Sequence, residues 1–526
     1  MTWTRGVVGA HLGAALTFGL LAIDASAQVP RRPPEEQPPT RHIEEHHREP
    51  TAMSPGVRLV PLDPKAFGKD PVYEERAYDA AAQLDIYGGK RRVEKVRPLI
   101  ELGGPLYGEG PLGPSYNLFG AKNLVAPQLY VYGDWRTTAA ANDNGAKELA
   151  QIATRLNLDV DLKLTATERL HALVRPLDRN GAFTRYEFGG QERDRRRSAN
   201  PQTDLNVDTL FFEGDAGQIA SGLMDKHMSW DLPFTFGLIP LVFQNGIWLD
   251  DAFVGGAFAI PARNSRTLDI SNVDFSFFFG DDKVTTASIK DRNDKLDENG
   301  ARIFGAATFV ETLSGYLEAG YGFTQDTREN LDFDYHNATL AFTRRYGGLI
   351  SNSTRIVYNW GQNPERNLRQ TADGFAILFE NSLVTNLPST LVPYANAFFG
   401  KDRPQSLARD AGAGGILKNT GLTFETDGLT GFPKLDDTAN DTFGGAVGVQ
   451  YLFSLNQQVV VEAATVQTIG GPNKPGRAAR GDQHAFGVRY QLPITNAWIF
   501  RSDGIWGWLD GADDVRGIRF ELRRKF

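Results

Sequence analysis

Arg516-Gly517-Ile518-Arg519-Phe520-Glu521-Leu522-Arg523-Arg524-Lys525-Phe526 alternates two chemistries residue by residue. In an extended strand, successive side chains point to opposite faces. Ile518, Phe520, Leu522 and Phe526 then share one face, and Arg519, Glu521, Arg523 and Lys525 share the other. A soluble closed barrel fills its interior with apolar side chains. A charged face paired with an aromatic face fits the reverse arrangement, with hydrocarbon outside and water inside. Arg524 falls on the apolar face, and close to a strand end its long stem can snorkel to headgroups. Trp498, Trp506 and Trp508 fit an interfacial belt.

The same period of two runs upstream. In Arg155-Leu156-Asn157-Leu158-Asp159-Val160-Asp161-Leu162-Lys163-Leu164 every even position is apolar and every odd one polar. One such strand also suits a soluble sandwich, so the rhythm of connections carries the decision. Strands are expected near 267–279, 303–311, 314–323, 334–345, 350–360, 372–384, 390–400, 442–453, 457–468, 482–491, 497–505 and 514–526. Short connections (about 311–314, 346–350, 385–390, 454–456, 492–496) alternate with long polar ones (280–302, 324–333, 361–371, 401–441, 469–481, 506–513). Transmembrane barrels have short turns at one rim and longer loops at the other. Upstream, strands are expected near 128–137, 151–164, 168–176 and 204–213. The run from Trp230 to Ile260 is apolar and resists division. The total is about 18, with 16 as the alternative, because a barrel with both ends on one side of the membrane needs an even number.

The predicted fold is therefore all-β, an antiparallel transmembrane barrel over 126–526 with an N-terminal extension. Residues 1–27 have the pattern of a secretory signal: Arg5, an apolar stretch to Ile23, then Ala25-Ser26-Ala27 with cleavage before Gln28. Residues 28–70 form a Pro- and charge-rich leader expected to be disordered. Residues 71–125 are expected to hold a short helix near Glu74 to Leu84, then a Gly- and Pro-rich part that extends into the periplasm or plugs the pore. No later stretch is long and apolar enough for a helical span.

Composition agrees. The chain of 526 residues has no cysteine, which excludes disulfides, thiolate metal sites and a lipid-bearing cysteine. Its 55 Gly and 33 Phe suit turns, strands and girdles. A net charge of −8 argues against a nucleic-acid partner.

The strand ending in Phe526 resembles the C-terminal strand of Gram-negative outer-membrane β-barrel proteins. Within that class the chain is similar to large porin-like channels, loosely the alginate-export-like and phosphate-porin-like barrels, and Val242-Phe243-Gln244-Asn245-Gly246-Ile247-Trp248 adds to the likeness. The resemblance implies that Ile518, Phe520, Leu522 and Phe526 form the signal read by the barrel-assembly machinery. It implies an outer-membrane channel for passive diffusion of small hydrophilic or ionic solutes, with membrane lipid as its surroundings and no cofactor.

The functional surface is then the lumen. Its candidate lining residues are Arg155, Asp159, Asp161, Lys163, Arg169, His171, Arg175, Arg489, Arg519, Glu521 and Arg523. Rings of charge set ion preference in pores, although paired charges also stabilise a wet interior. Loop 401–441 either folds into the lumen as a constriction or stays outside. Residues 291–299 have the composition of a calcium loop, but Leu296 stands where the turn needs glycine. His42 and His46 are the sole metal candidates, and their order lacks the glutamate of a zinc protease helix. No phosphate loop, nucleophile elbow or dinucleotide fingerprint occurs. The alternatives are a scaffold barrel that holds a periplasmic partner through residues 28–125, and an outer-membrane hydrolase whose catalytic residues come from separate strands. Nothing in the sequence marks an oligomeric interface.

Overall fold

The computed structural model describes residues 96–526 except 107–113, 146, 180, 191–197, 269, 290–298, 329–330, 366–367, 387–389, 426–427 and 455–456. The export signal with Ala25, Ala27 and Gln28, the leader with His42 and His46, the helix near 74–84 and all of the calcium-like run but Asn299 lie outside the described residues.

Eighteen strands form one closed antiparallel ring. They are β1 Gln128–Asp143, β2 Glu148–Lys163, β3 Arg169–Arg175, β4 Asn206–Asp215, β5 Pro233–Phe243, β6 Leu249–Ser265, β7 Ile270–Asp282, β8 Ala301–Thr312, β9 Gly315–Asp326, β10 Tyr335–Tyr346, β11 Ile350–Trp360, β12 Asp373–Leu383, β13 Leu391–Arg403, β14 Thr442–Ser454, β15 Gln457–Thr468, β16 Gln483–Pro493, β17 Trp498–Leu509 and β18 Val515–Lys525. Each pairs with its neighbours in sequence order, and β18 closes on β1 from Arg516↔Asp143 to Lys525↔Asp134. Closure removes the sheet edges that hydrocarbon cannot solvate. The larger of the two expected counts is the observed one.

The position beside β2 is shared. The short β3 covers the half from Leu158 to Lys163. The hairpin strand Ala182–Gly190 covers the other half, against Leu149 to Thr154. Below the point where β18 ends, Ile100–Leu102 pairs with Leu129–Val131 and completes the seam.

Facing follows the predicted alternation. In β18, Ile518, Phe520 and Leu522 are exposed outward, whereas Arg519 and Glu521 are buried within. In β2 the odd positions Gln151, Ala153, Asn157 and Asp161 are buried and Ile152 is exposed. Most strands have 11 to 13 residues, enough to cross a hydrocarbon layer when tilted. Trp506 and Trp508, with ring centroids 6.4 Å apart, stand near the loop rim. Trp498 stands at the opposite rim with the Arg524 guanidinium 5.7 Å from its ring centroid, which is how that lipid-facing arginine is accommodated.

Several boundaries and connections differ from the expected ones. Strand β17 continues to Leu509, so the predicted long loop 506–513 is a five-residue connection, 510–514. The loop-rim connections 144–147 and 244–248 are also short, and strict short–long alternation fails there. The opposite rim carries one long connection, 216–232, which starts with helix α1, Ala216–Leu223, capped by Asp215. The undivided apolar run resolves into β5 and β6 around the turn at Gln244–Gly246.

The lumen is not simply wet. Loop 404–441 folds into the ring, which decides between the two readings of that segment. Its Ile416, Leu417, Phe424, Phe432 and Leu435 pack against inward residues Leu378, Phe398, Ala446, Val466 and Ile505. A second apolar cluster joins loop residues Trp248, Val284, Ile289, Phe333 and Leu407 to inward Ile239, Phe253, Phe278 and Ile303. Fully burying an apolar side chain of this size contributes about 1.5–3 kcal/mol, so the insertion is a packed core of its own. Gly320 makes room for it: a Cβ there would lie 2.7 Å from the Trp248 ring. Trp248 Nε1 donates to Asn337 Oδ1 at 2.8 Å.

Candidate functional site

The inserted loop leaves a chamber against one arc of the wall. Strands β16, β17, β18, β1 and β2 supply inward Arg489, Arg501, Arg519, Glu521, Arg523, Arg136 and Arg155, and the loop supplies Lys418, Leu422, Glu425, Leu429 and Phe432 around ≈ 230 Å³. The guanidinium groups fall on one surface because each arginine occupies an inward position of a strand adjacent in the ring. Register fixes this: Arg489 lies opposite Asp503, and Asp503 opposite Arg519.

Asp503 organises the arc. It is 2% exposed, and three arginines converge on it. Arg489 Nε donates at 2.6 Å, Arg501 Nε at 2.8 Å and Arg519 Nη2 at 2.8 Å. Charge-assisted bonds of this length are the strong class. Arg489 also donates through Nη2 to Glu425 Oε2 at 2.6 Å. Arg519 lies over the Phe432 ring, 5.0 Å from its centroid. Arg523 Nη2 donates to Glu521 at 2.9 Å. Arg136 pairs with Asp134 on its own strand. Arg155 donates to Asn157 Oδ1 at 2.9 Å and lies over the Phe183 ring at 5.6 Å.

The charges do not cancel. Seven basic side chains line the chamber against Glu425 and Glu521. Adding Asp134 and Asp503 behind them, and Asp250 at 3.7 Å from Lys418, still leaves an excess of two positive charges among the described residues. Low-dielectric walls focus such a field on whatever enters.

The other sequence candidates lie apart from the chamber, nearer the turn rim. Asp161, 6% exposed, is 3.5 Å from Arg169 and 3.8 Å from His171. His171 Nε2 is 3.1 Å from Glu213. Arg175 pairs with Asp208. Asp159 sits opposite Leu173 and Lys163 opposite Arg169 in the β2–β3 ladder. Asp161, Arg169, His171 and Arg175 thus form cross-strand pairs of opposite sign, whereas Lys163 faces a like charge and Asp159 an apolar residue. The eleven candidates therefore divide: Arg155, Arg489, Arg519, Glu521 and Arg523 meet in the chamber, and Asp159, Asp161, Lys163, Arg169, His171 and Arg175 do not.

Sequence reasoning passed over Arg136, Arg501, Asp503, Lys418 and Glu425. For the wall residues a signal existed. Arg501 and Asp503 share a face two residues apart, and Arg136 shares the parity that points Asp134 inward. For the loop residues none existed, since their position depends on how the loop packs. The described part of 71–125 lies at the turn rim: Asn123 Nδ2 donates to Glu168 at 2.8 Å, and Tyr116 bridges to Val125. Among the described residues, no cluster of three or more histidine or acidic side chains has metal-binding geometry.

No family model matches the chain, and no curated protein matches it. Solved structures are similar in architecture. OccK1 (OpdK) of Pseudomonas aeruginosa is 11% identical with a TM-score of 0.48, over 76% of this chain and 98% of that one. OccK11 (OpdR) of the same organism is 10% identical with a TM-score of 0.48, over 76% and 96%. OccAB4 of Acinetobacter baumannii is 10% identical with a TM-score of 0.45, over 76% and 97%. The barrel itself rests on the chain's own strand ladder.

Proposed function

We propose that this chain is an outer-membrane channel for passive diffusion of small hydrophilic solutes, with a preference for anions. The observation that carries the reading is the chamber: an arc of arginines with more positive than negative charge, inside a ring whose outer face is apolar. Rings of arginine and lysine favour anions and phosphates in pores. The inserted loop narrows the lumen and routes the solute along the arginine arc rather than down the axis. In this reading the loop rim faces outside the cell and the turn rim faces the periplasm, as in barrels of this kind. The strand ending in Phe526 serves as the signal for assembly after export.

Planar-bilayer recording of the purified full chain tests it. The expected result is discrete conductance steps whose reversal potential in a KCl gradient reports chloride moving faster than potassium. Absence of conductance above background overturns the channel. Conductance with cation preference overturns the assignment of anions.

A further inference from the structure

Among the described residues the loop brings one acid, Glu425, into the chamber lining, and the wall holds that acid's segment in place. Leu422–Phe424 is one 3-10 turn whose leading residue, Gly421, gives it no side-chain cap. The cap comes from the wall instead. Glu462 of β15 accepts from the Leu422 N–H at 2.7 Å, the Thr423 N–H at 2.8 Å and the Thr423 hydroxyl at 2.8 Å. The Tyr394 hydroxyl donates to the same carboxylate at 2.5 Å. Glu462 is 1% exposed. A Cβ on Gly421 would lie 2.5 Å from it and 2.7 Å from Ala446, so the joint needs glycine. Immediately after the turn comes Glu425, bonded to Arg489 and 3.9 Å from Arg501.

The two acids on Arg489 differ in standing. Asp503 belongs to the wall, and its side chain is 1% exposed among three arginines. Glu425 belongs to the loop, and its side chain is 39% exposed. An incoming anion can replace the second and not the first. We propose that Glu425 is a resident counter-ion occupying the seat that a permeating anion takes on Arg489, and that Glu462 is the positioning residue that keeps it there. This rests on the channel reading and adds its selectivity device. The entering group is a small carboxylate or inorganic anion, chemically equivalent to the Glu425 carboxylate it displaces. Such competition shortens the stay of each solute. Conduction requires this, since binding must be weak enough to permit exit.

Reversal potentials of full-length variants decide. Glu425→Gln raises the chloride-to-potassium permeability ratio about threefold at low salt, the effect of one unit charge across about 6 Å of water. The change shrinks in 1 M KCl, where screening shortens to about 3 Å. Acetate, added as a probe, dwells longer in Glu425→Gln channels, and Glu425→Asp restores the parent ratio. Glu462→Gln leaves every chamber charge in place yet moves the ratio in the same direction, because Glu425 loses its hold. A parent ratio in Glu425→Gln channels of parent conductance overturns the counter-ion role. A shift in Glu425→Gln with none in Glu462→Gln overturns the positioning role. A parent chain without conductance defeats the channel reading, a separate outcome.

Discussion

Asp503 shows what a single inward carboxylate does in a barrel wall. Replacing it with asparagine leaves Arg489, Arg501 and Arg519 mutually repelling where all three had converged. Breaking a buried ion pair by removing one partner costs about 3–5 kcal/mol. Asp503→Asn is therefore expected to lower unfolding free energy by about 3 kcal/mol, measured by urea unfolding in detergent. Glu168, in the turn between β2 and β3, gives a pH dependence. Burial pushes its carboxyl up, but donors from Thr165, Asn123, Thr167 and the Asp215 N–H outweigh that and hold it below the usual range. A lowered folded value means the stabilisation is present above the ordinary glutamate value of about 4.3 and is lost as pH falls through the folded value. Glu168→Gln should unfold more readily than the parent at pH 7. The two should converge under acid, followed by the temperature at which the barrel loses its compact mobility in detergent gels. The inward position of Asp503 was legible, because parity alone assigns a strand residue to a face. Its cross-strand partners Arg489 and Arg519 were not, because register decides which residue of the next strand lies opposite.

At the scale of elements, alternation reported faithfully wherever the interior is charged and failed where a loop turns it apolar. Strands β2 and β18 read cleanly. The run from Trp230 to Ile260 did not, and β5 shows why. Its inward Ile239, Leu241 and Phe243 pack against the second inserted cluster, while its outward Phe236 and Val242 are exposed to the membrane side. A strand with two apolar faces has no period to detect. The loop 404–441 was legible as long, and its Gly-rich part Asp410–Gly415 as pliable, but its destination depends on complementary surfaces spread over many strands. Replacing residues 410–433 with a short Gly-Ser linker removes the obstruction. Single-channel conductance should rise severalfold and anion preference should fall toward unity, since solutes then pass along the axis. Unchanged conductance would show that the loop does not set the narrowest point.

For the whole molecule, the strand count and class followed from rhythm, and the seam did not. Gly133 and Phe526 exchange backbone bonds, N–H to O at 2.9 Å and 3.1 Å. Beyond them β1 continues alone until Ile100–Leu102 covers its edge. Unpaired backbone groups in contact with lipid cost several kcal/mol each. Removing residues up to 104 should therefore lower the temperature at which the folded band disappears from detergent gels, with bilayer conductance retained.

The inserted loop also bears on the closure of the ring. Its Thr430 carbonyl accepts from Asn142 of β1 at 3.0 Å and from Gln151 of β2 at 2.6 Å. Its Pro433 and Phe432 lie against Gly517 and Arg519 of β18. One short segment thus grips the first strands and the last from inside. It is an internal brace across the seam at which β18 closes on β1, so the constriction and the closure of the wall share the same few residues.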